Sequence, residues 1–198
     1  VYDAASSYAF VQTLVPTLGT QGCALNFFGS SIDIDGGRAI VAANSRQSGG
    51  SCTSEIYFYE KSGGTWTETD TAVKAINLFG NGVAIDGDFA IAGSRVEQRA
   101  YVYQWDGAAW QEIQTILDPG VGANFGQQVD MDGDLAIITH NPRSAEAGPS
   151  HVYQRDGSNV YQPLHELTSS ATNPLRFGYS VGLDNCRAAI GGWYTFFN

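Results

Sequence analysis

The sequence predicts an all-β chain folded as a β-propeller of four-stranded antiparallel blades, and two recurring hairpin patterns carry that prediction. The first is the stretch from Phe125 to Ile138, where the apolar runs Val129/Met131 and Leu135 to Ile138 flank Asp132-Gly133. Asp and Gly tolerate the positive φ of two-residue hairpin turns, so the stretch reads as two antiparallel strands. Copies begin at Phe28, Phe79 and, in weaker form, Phe177, so consecutive Phe-Gly pairs start 51, 46 and 52 residues apart. A period near fifty residues built from short strands points to a propeller or a related array.

The second pattern follows each of the first three copies. It reads Ile56 to Tyr59 with Trp66, then Tyr101 to Trp105 with Trp110, then His151 to Arg155 with Tyr161, each around a Gly-Gly or Asp-Gly turn. Aromatic and β-branched residues on both sides of a turn again predict a hairpin. Two hairpins per repeat supply strands a, b, c and d, which is one blade. The whole of 1–198 is expected to be a single domain, with blades at 28–78, 79–124 and 125–176. A c/d half-blade and linker occupy 1–27, and an a/b half-blade occupies 177–198. Pairing of the N-terminal c/d strands with the C-terminal a/b strands is expected to close the ring and remove its open edges. Trp193 to Phe197 reads alternatively as a further strand c, as in a piece of a larger ring.

On the Phe-Gly pairs 28/29, 79/80, 125/126 and 177/178, with the Asp-Gly turns at 35/36, 86/87 and 132/133, the chain resembles the FG-GAP family of β-propeller repeats. That family occurs in integrin α-subunit heads and in many bacterial surface proteins. The resemblance covers nearly the whole chain and implies an extracellular interaction module. Members that bind calcium carry a longer Asp-x-Asp-x-Asp-Gly loop between strands a and b, whereas the turn here is minimal. Family rings usually have seven blades.

Composition narrows the partners. A formal charge of −10, with Lys61 and Lys74 as the only lysines, offers no basic stripe for nucleic acid and no patch for anionic membranes. No apolar run approaches the roughly 20 residues that span a bilayer, so no membrane insertion is expected. The chain opens at Val1 with neither an initiator Met nor a signal-like segment, as a mature form or an excised part does. It contains no Asn-x-Ser/Thr sequon.

Candidate sites are few. Asp130, Asp132 and Asp134 alternate along one hairpin and form a weak candidate calcium site, although calcium needs six or more oxygens and a short turn supplies few. Their simpler role is to shape the turn, and no cofactor is expected. Cys23, in the linker before Phe28, and Cys52, in the following b-to-c loop, fall at one end of the same blade and are expected to form a disulfide. Such a bridge implies an oxidising compartment, hence a secreted or cell-surface protein. Cys186 reads as a free thiol.

His140 and His151 flank a b-to-c loop that also holds Arg143 and Glu146, a histidine–carboxylate grouping of the kind used in acid/base chemistry. No nucleophile motif accompanies it, and the chain is not expected to be an enzyme. The repeating aromatics read as packing between blades, with Trp105 and Trp193 outside the repeat. Binding is expected on a loop face formed by the b-to-c loops and d-to-a linkers, through Trp105, Arg95, Arg99, His140, Arg143 and His151. The expected role is a non-enzymatic adhesive or structural module with a protein or glycan partner, and possible self-association. A lectin is the alternative, and a polysaccharide-active enzyme a further one.

Overall fold

The computed structural model describes residues 1–3, 9–17, 26–45, 53–120, 124–140, 148–170 and 176–192. Strands and no helices occur among them. A short hairpin, β1 (Tyr2–Asp3) and β2 (Ala9–Phe10), precedes the first full sheet. That sheet contains β3 (Asn26–Asp35), β4 (Arg38–Ser45), β5 (Ser54–Ser62) and β6 (Thr65–Lys74). The second contains β7 (Phe79–Asp86), β8 (Phe89–Ser94), β9 (Arg99–Trp105) and β10 (Trp110–Leu117). The third contains β11 (Phe125–Asp132), β12 (Leu135–His140), β13 (Ser150–Arg155) and β14 (Tyr161–Leu167). A last hairpin, β15 (Ser180–Asp184) and β16 (Arg187–Gly191), follows. The three full sheets are four-stranded antiparallel meanders in chain order, as the two hairpin patterns predict.

The second strand of each sheet lies deepest. All six residues of β8 are buried, and β4 is buried from Ala39 onward. A strand covered on both faces needs an unbroken apolar run, which is why Ala39 to Ala43 shows no polar alternation. The two faces of β4 pack against different neighbours. Ile40 and Ala42 join Phe79, Val83, Ile85 and Tyr101 of the second sheet. Ala39, Val41 and Ala43 face the other way, with Val1, Leu14 and Phe28 packed on their cluster. The second and third sheets share a further core that includes Ile91, Val102, Phe125, Val129, Met131 and Ile138. Aromatic contacts reinforce these seams: Phe58 of β5 stacks on Trp110 of β10 with centroids 4.6 Å apart. Such pairs add about 0.5–1.5 kcal/mol beyond the area they bury.

The Phe-Gly glycines have a specific steric reason. Gly80 has φ +74°, and a Cβ there would sit 2.8 Å from Ala42 Cβ in the preceding sheet. Gly126 (φ +81°) lies against the Arg99 carbonyl, and Gly178 (φ +90°) against the His140 carbonyl. Gly29 shares the conformation (φ +85°) but has nothing within 4 Å. It differs in that, among the described residues, only the β1–β2 hairpin precedes its sheet.

Ring closure within the chain is not what the structure shows. β1–β2 and β15–β16 are separate two-stranded sheets, each held by the full sheet next to it. Gln12, just past β2, brackets the Trp66 backbone with two side-chain bonds of 2.9 Å. Asp130 holds the Leu183 amide of β15 at 2.5 Å. The expected Cys23–Cys52 disulfide and the alternative strand at Trp193 to Phe197 lie outside the described residues. Cys186 is free and exposed, as expected.

Candidate functional site

The acidic turns are where the chain's recurring polar chemistry sits, and their carboxylates are turned toward the next sheet. Asp33 Oδ2 accepts the Ile85 amide at 2.8 Å, and Asp35 Oδ2 accepts that of Gly87 at 2.8 Å. Asp86 accepts the Gly133 amide. Asp132 Oδ2 accepts that of Asn185 at 2.8 Å. Ser31 Oγ adds a bond from the Val83 amide at 3.2 Å. The first strand of each sheet leaves one row of N–H groups unpaired in its own ladder, and the preceding strand's side chains satisfy them. Where the preceding residue is apolar, as at Ala84, the amide of Met131 turns to its own Asp130 at 3.0 Å.

A second ladder links the outer strands. Gln114 accepts the Tyr161 amide at 2.8 Å and donates to the Tyr161 carbonyl at 2.9 Å. Asp70 Oδ2 accepts the Trp110 amide at 2.8 Å. Gln12 makes the same two-way contact with Trp66 that Gln114 makes with Tyr161.

These bonds account for the three aspartates considered as calcium ligands. Asp130 serves Leu183 and Met131, Asp132 serves Asn185, and Asp134 is ion-paired with Arg155. Burial raises the pKa of Asp130, and its two amide donors pull the other way. The carboxylates diverge to separate partners, and no group of three metal-ligating side chains converges among the described residues.

The histidines expected on a loop are instead buried. His140 is fully buried at the end of β12, and His151 is nearly so in β13. Their rings lie 5.1 Å apart, and His140 also packs on Phe125 at 4.9 Å. His151 stands edge-on to the Phe-Gly phenylalanine, as Tyr57 does to Phe28 and Tyr101 to Phe79. Among the described residues neither ring nitrogen of His140 has a hydrogen-bond partner, and Asp118 Oδ1 lies 3.7 Å from Nε2. Burial lowers the His140 pKa to about 4 and depresses that of His151, so both are neutral at pH 7. The pair functions as core. A solvent-facing reaction would need at least one imidazole within reach of substrate.

The other expected binding residues divide between two ends of a sheet. Arg95 bonds Asn81 Oδ1 at 3.1 Å, and Arg99 bonds the Glu97 carbonyl at 3.3 Å, both beside the β8–β9 turn. Trp105 ends β9, seven residues from Arg99 inclusive and therefore about 20 Å away along the strand. It belongs to the opposite end from the loop face, because an extended strand separates its termini. There it tilts against Trp110 with centroids 6.0 Å apart. The Arg38 guanidinium lies 5.3 Å from the Trp105 ring centre and pairs with Glu60 and Asp88. Arg143 and Glu146 lie outside the described residues, as does Trp193.

The recurring aromatics Tyr57, Tyr59, Trp66, Tyr101, Tyr103, Trp110 and Tyr153 are all buried. None of them presents a face on which a sugar ring can stack. Sequence reasoning missed Arg38 and Gln114, which join consecutive sheets. The signal for Gln114 was a polar residue four places after each Trp or Tyr that opens a fourth strand: Asp70, Gln114 and His165. No helix among the described residues is long and apolar enough to cross a membrane. No protein-family model matches the chain, and no curated protein matches it either.

Proposed function

We propose that the consecutive sheets are blades of a β-propeller and that the chain is an extracellular, non-enzymatic interaction or structural module. It presents variable loops from a rigid frame. The observation that carries this reading is the use made of the repeating polar residues. Asp33, Asp35, Asp86, Asp130 and Asp132 each accept an amide of the next sheet. Side chains spent on joining repeats favour a scaffold, and specificity then resides where the repeats differ. Those places are the connections at 44–53, 94–99 and 141–150 and the linkers at 118–124 and 169–176. The Phe-Gly resemblance supports the same role on a cell surface or in a fibre.

The test is binding of the purified chain to a broad glycan array and to a panel of extracellular-matrix proteins, with and without a calcium chelator. Saturable binding to a matrix protein that persists under chelation supports the module. Selective glycan binding replaces it with a lectin, and loss under chelation brings the Asp130 hairpin back as a metal site.

A further inference from the structure

The two ends of the chain are complementary. At the N-terminal end, β1–β2 holds the third and fourth positions of a blade ahead of the first sheet, as the Gln12–Trp66 contact fixes. The first and second positions of that blade coincide with a groove of about 610 Å³ between the hairpin and β3–β4. Its walls include Tyr2, Phe10, Phe28, Ile32 and Ile34. Ile32 is 68% exposed and Ile34 56%, while their counterparts Val83 and Ile85 in the second sheet are 5% and 3% exposed. Gly29, the Phe-Gly glycine with open space over it, borders the same groove.

At the C-terminal end, β15–β16 holds the first and second positions of a blade after the third sheet. Ala188 and Ala189 of β16 are exposed, whereas the matching Ala136 and Ile137 of β12 are fully buried. Register decides the fit. Asp184 stands where Asp35, Asp86 and Asp132 stand, and each of those accepts the amide of the residue after the next sheet's turn-opening Asp. The corresponding amide at the groove is that of Gly36. Ser180 stands where Ser31 stands, facing the amide position of Ile32.

Between them β15 carries Gly182, where the second sheet carries Ala84. The Ile34 amide bonds its own Asp33 at 2.8 Å, as Met131 behind Ala84 bonds its own Asp130. A side-chain acceptor is missing in β15 at the position where β3 does not need one.

We propose that the β15–β16 hairpin of one copy docks into the β1–β2/β3 groove of a second copy, completing one blade from two chains. The contact is heterologous, head to tail, so it propagates into an open fibre or closes into a larger ring. Within the chain the two hairpins belong to separate sheets, and the register of Ser180, Gly182 and Asp184 against the groove fits the hairpin of a second copy. The inference rests on the repeat register, and it holds whether or not the loop face binds a ligand.

Sedimentation velocity over a wide concentration range tests it with Asp184→Lys at one end and Ile32→Glu at the other. Both residues are exposed in the isolated chain, so folding is retained, and circular dichroism checks it. Self-association of the wild-type chain is expected, weakened about ten-fold or more by either substitution. An equimolar mixture of the two variants is expected to recover a dimer, because one intact head then meets one intact tail. A wild-type chain that stays monomeric overturns the proposal, and so does a variant mixture that fails to associate. The glycan and matrix-protein arms are read separately, so failure of the loop-face reading leaves this result standing.

Discussion

Asp33 Oδ2 accepts the amide of Ile85, 52 residues later in the chain, at 2.8 Å. The bond joins the first strand of one sheet to the first strand of the next, and Asp33 Oδ1 also takes the Ile34 amide. One carboxylate thus covers two N–H groups that no backbone carbonyl reaches. Asp33→Ala is expected to destabilise the chain by about 1–3 kcal/mol, since it removes a charged acceptor from the partly buried Ile85 amide as well as from that of Ile34. Asp33→Asn retains one oxygen and is expected to cost less. Urea denaturation of the three proteins checks the order.

The Phe-Gly glycines predict unequal costs for one substitution. Gly29→Ala adds a methyl with nothing within 4 Å, so its cost is the left-handed backbone alone, about 1–2 kcal/mol. Gly126→Ala carries the same strain and also drives Cβ into the Arg99 carbonyl and to 2.9 Å from the Ser94 nitrogen. It is expected to lower the melting temperature far more, or to prevent folding. Equal melting temperatures would contradict the packing of the third sheet on the second.

Buried His140 gives the acid limb of stability a defined window. Its folded pKa of about 4 lies below the ordinary 6.5, so between those values the unfolded chain binds the proton more readily. Its contribution is fully present above pH 6.5 and is lost as pH falls toward 4, by about 2–3 kcal/mol. His140→Ser, which installs the residue found at the matching Ser94, is expected to flatten that limb. Melts at pH 7.5 and 4.5 measure the difference.

Gln114 works through both ends of its amide. Gln114→Ala removes two bonds to the Tyr161 backbone and is expected to cost about 1–3 kcal/mol. Gln114→Glu keeps an acceptor for the Tyr161 N–H but sets a carboxylate oxygen against the Tyr161 carbonyl. It is expected to rescue little at pH 7 and more at low pH, where the protonated acid regains a donor.

Much of the fold was legible because hairpins are local. The Asp86-Gly87 and Asp132-Gly133 turns and the apolar runs beside them mark β7–β8 and β11–β12 to within a few residues. The terminal hairpins β1–β2 and β15–β16 were legible too, from the strand-like residues around Tyr8 to Leu14 and from Tyr179 to Gly192. Closure was not, because pairing between the ends depends on geometry that no single repeat encodes. The role of the aspartates was hidden for a similar reason. A carboxylate that accepts an amide about fifty residues away looks, in sequence, like a turn residue or a metal ligand. The loop-facing reading of His140 and His151 failed because both rings, although beside the β12–β13 connection, pack on Phe125 and on each other, at positions where neighbouring repeats carry Ala, Ser or Tyr.

The carboxylate ladder between consecutive first strands joins each sheet to the next, and residue-resolved amide hydrogen exchange by NMR reads it directly. The amides of Ile85, Gly87, Leu183 and Asn185 are expected to exchange slowly, although each lies on a strand edge or turn with no backbone acceptor. Asp33→Ala is expected to accelerate Ile85 selectively, by about ten-fold or more, with Leu183 unchanged. Ile85 and Leu183 exchanging at the rates of open edge strands in the wild-type chain would contradict the ladder and the stacking of sheets built on it.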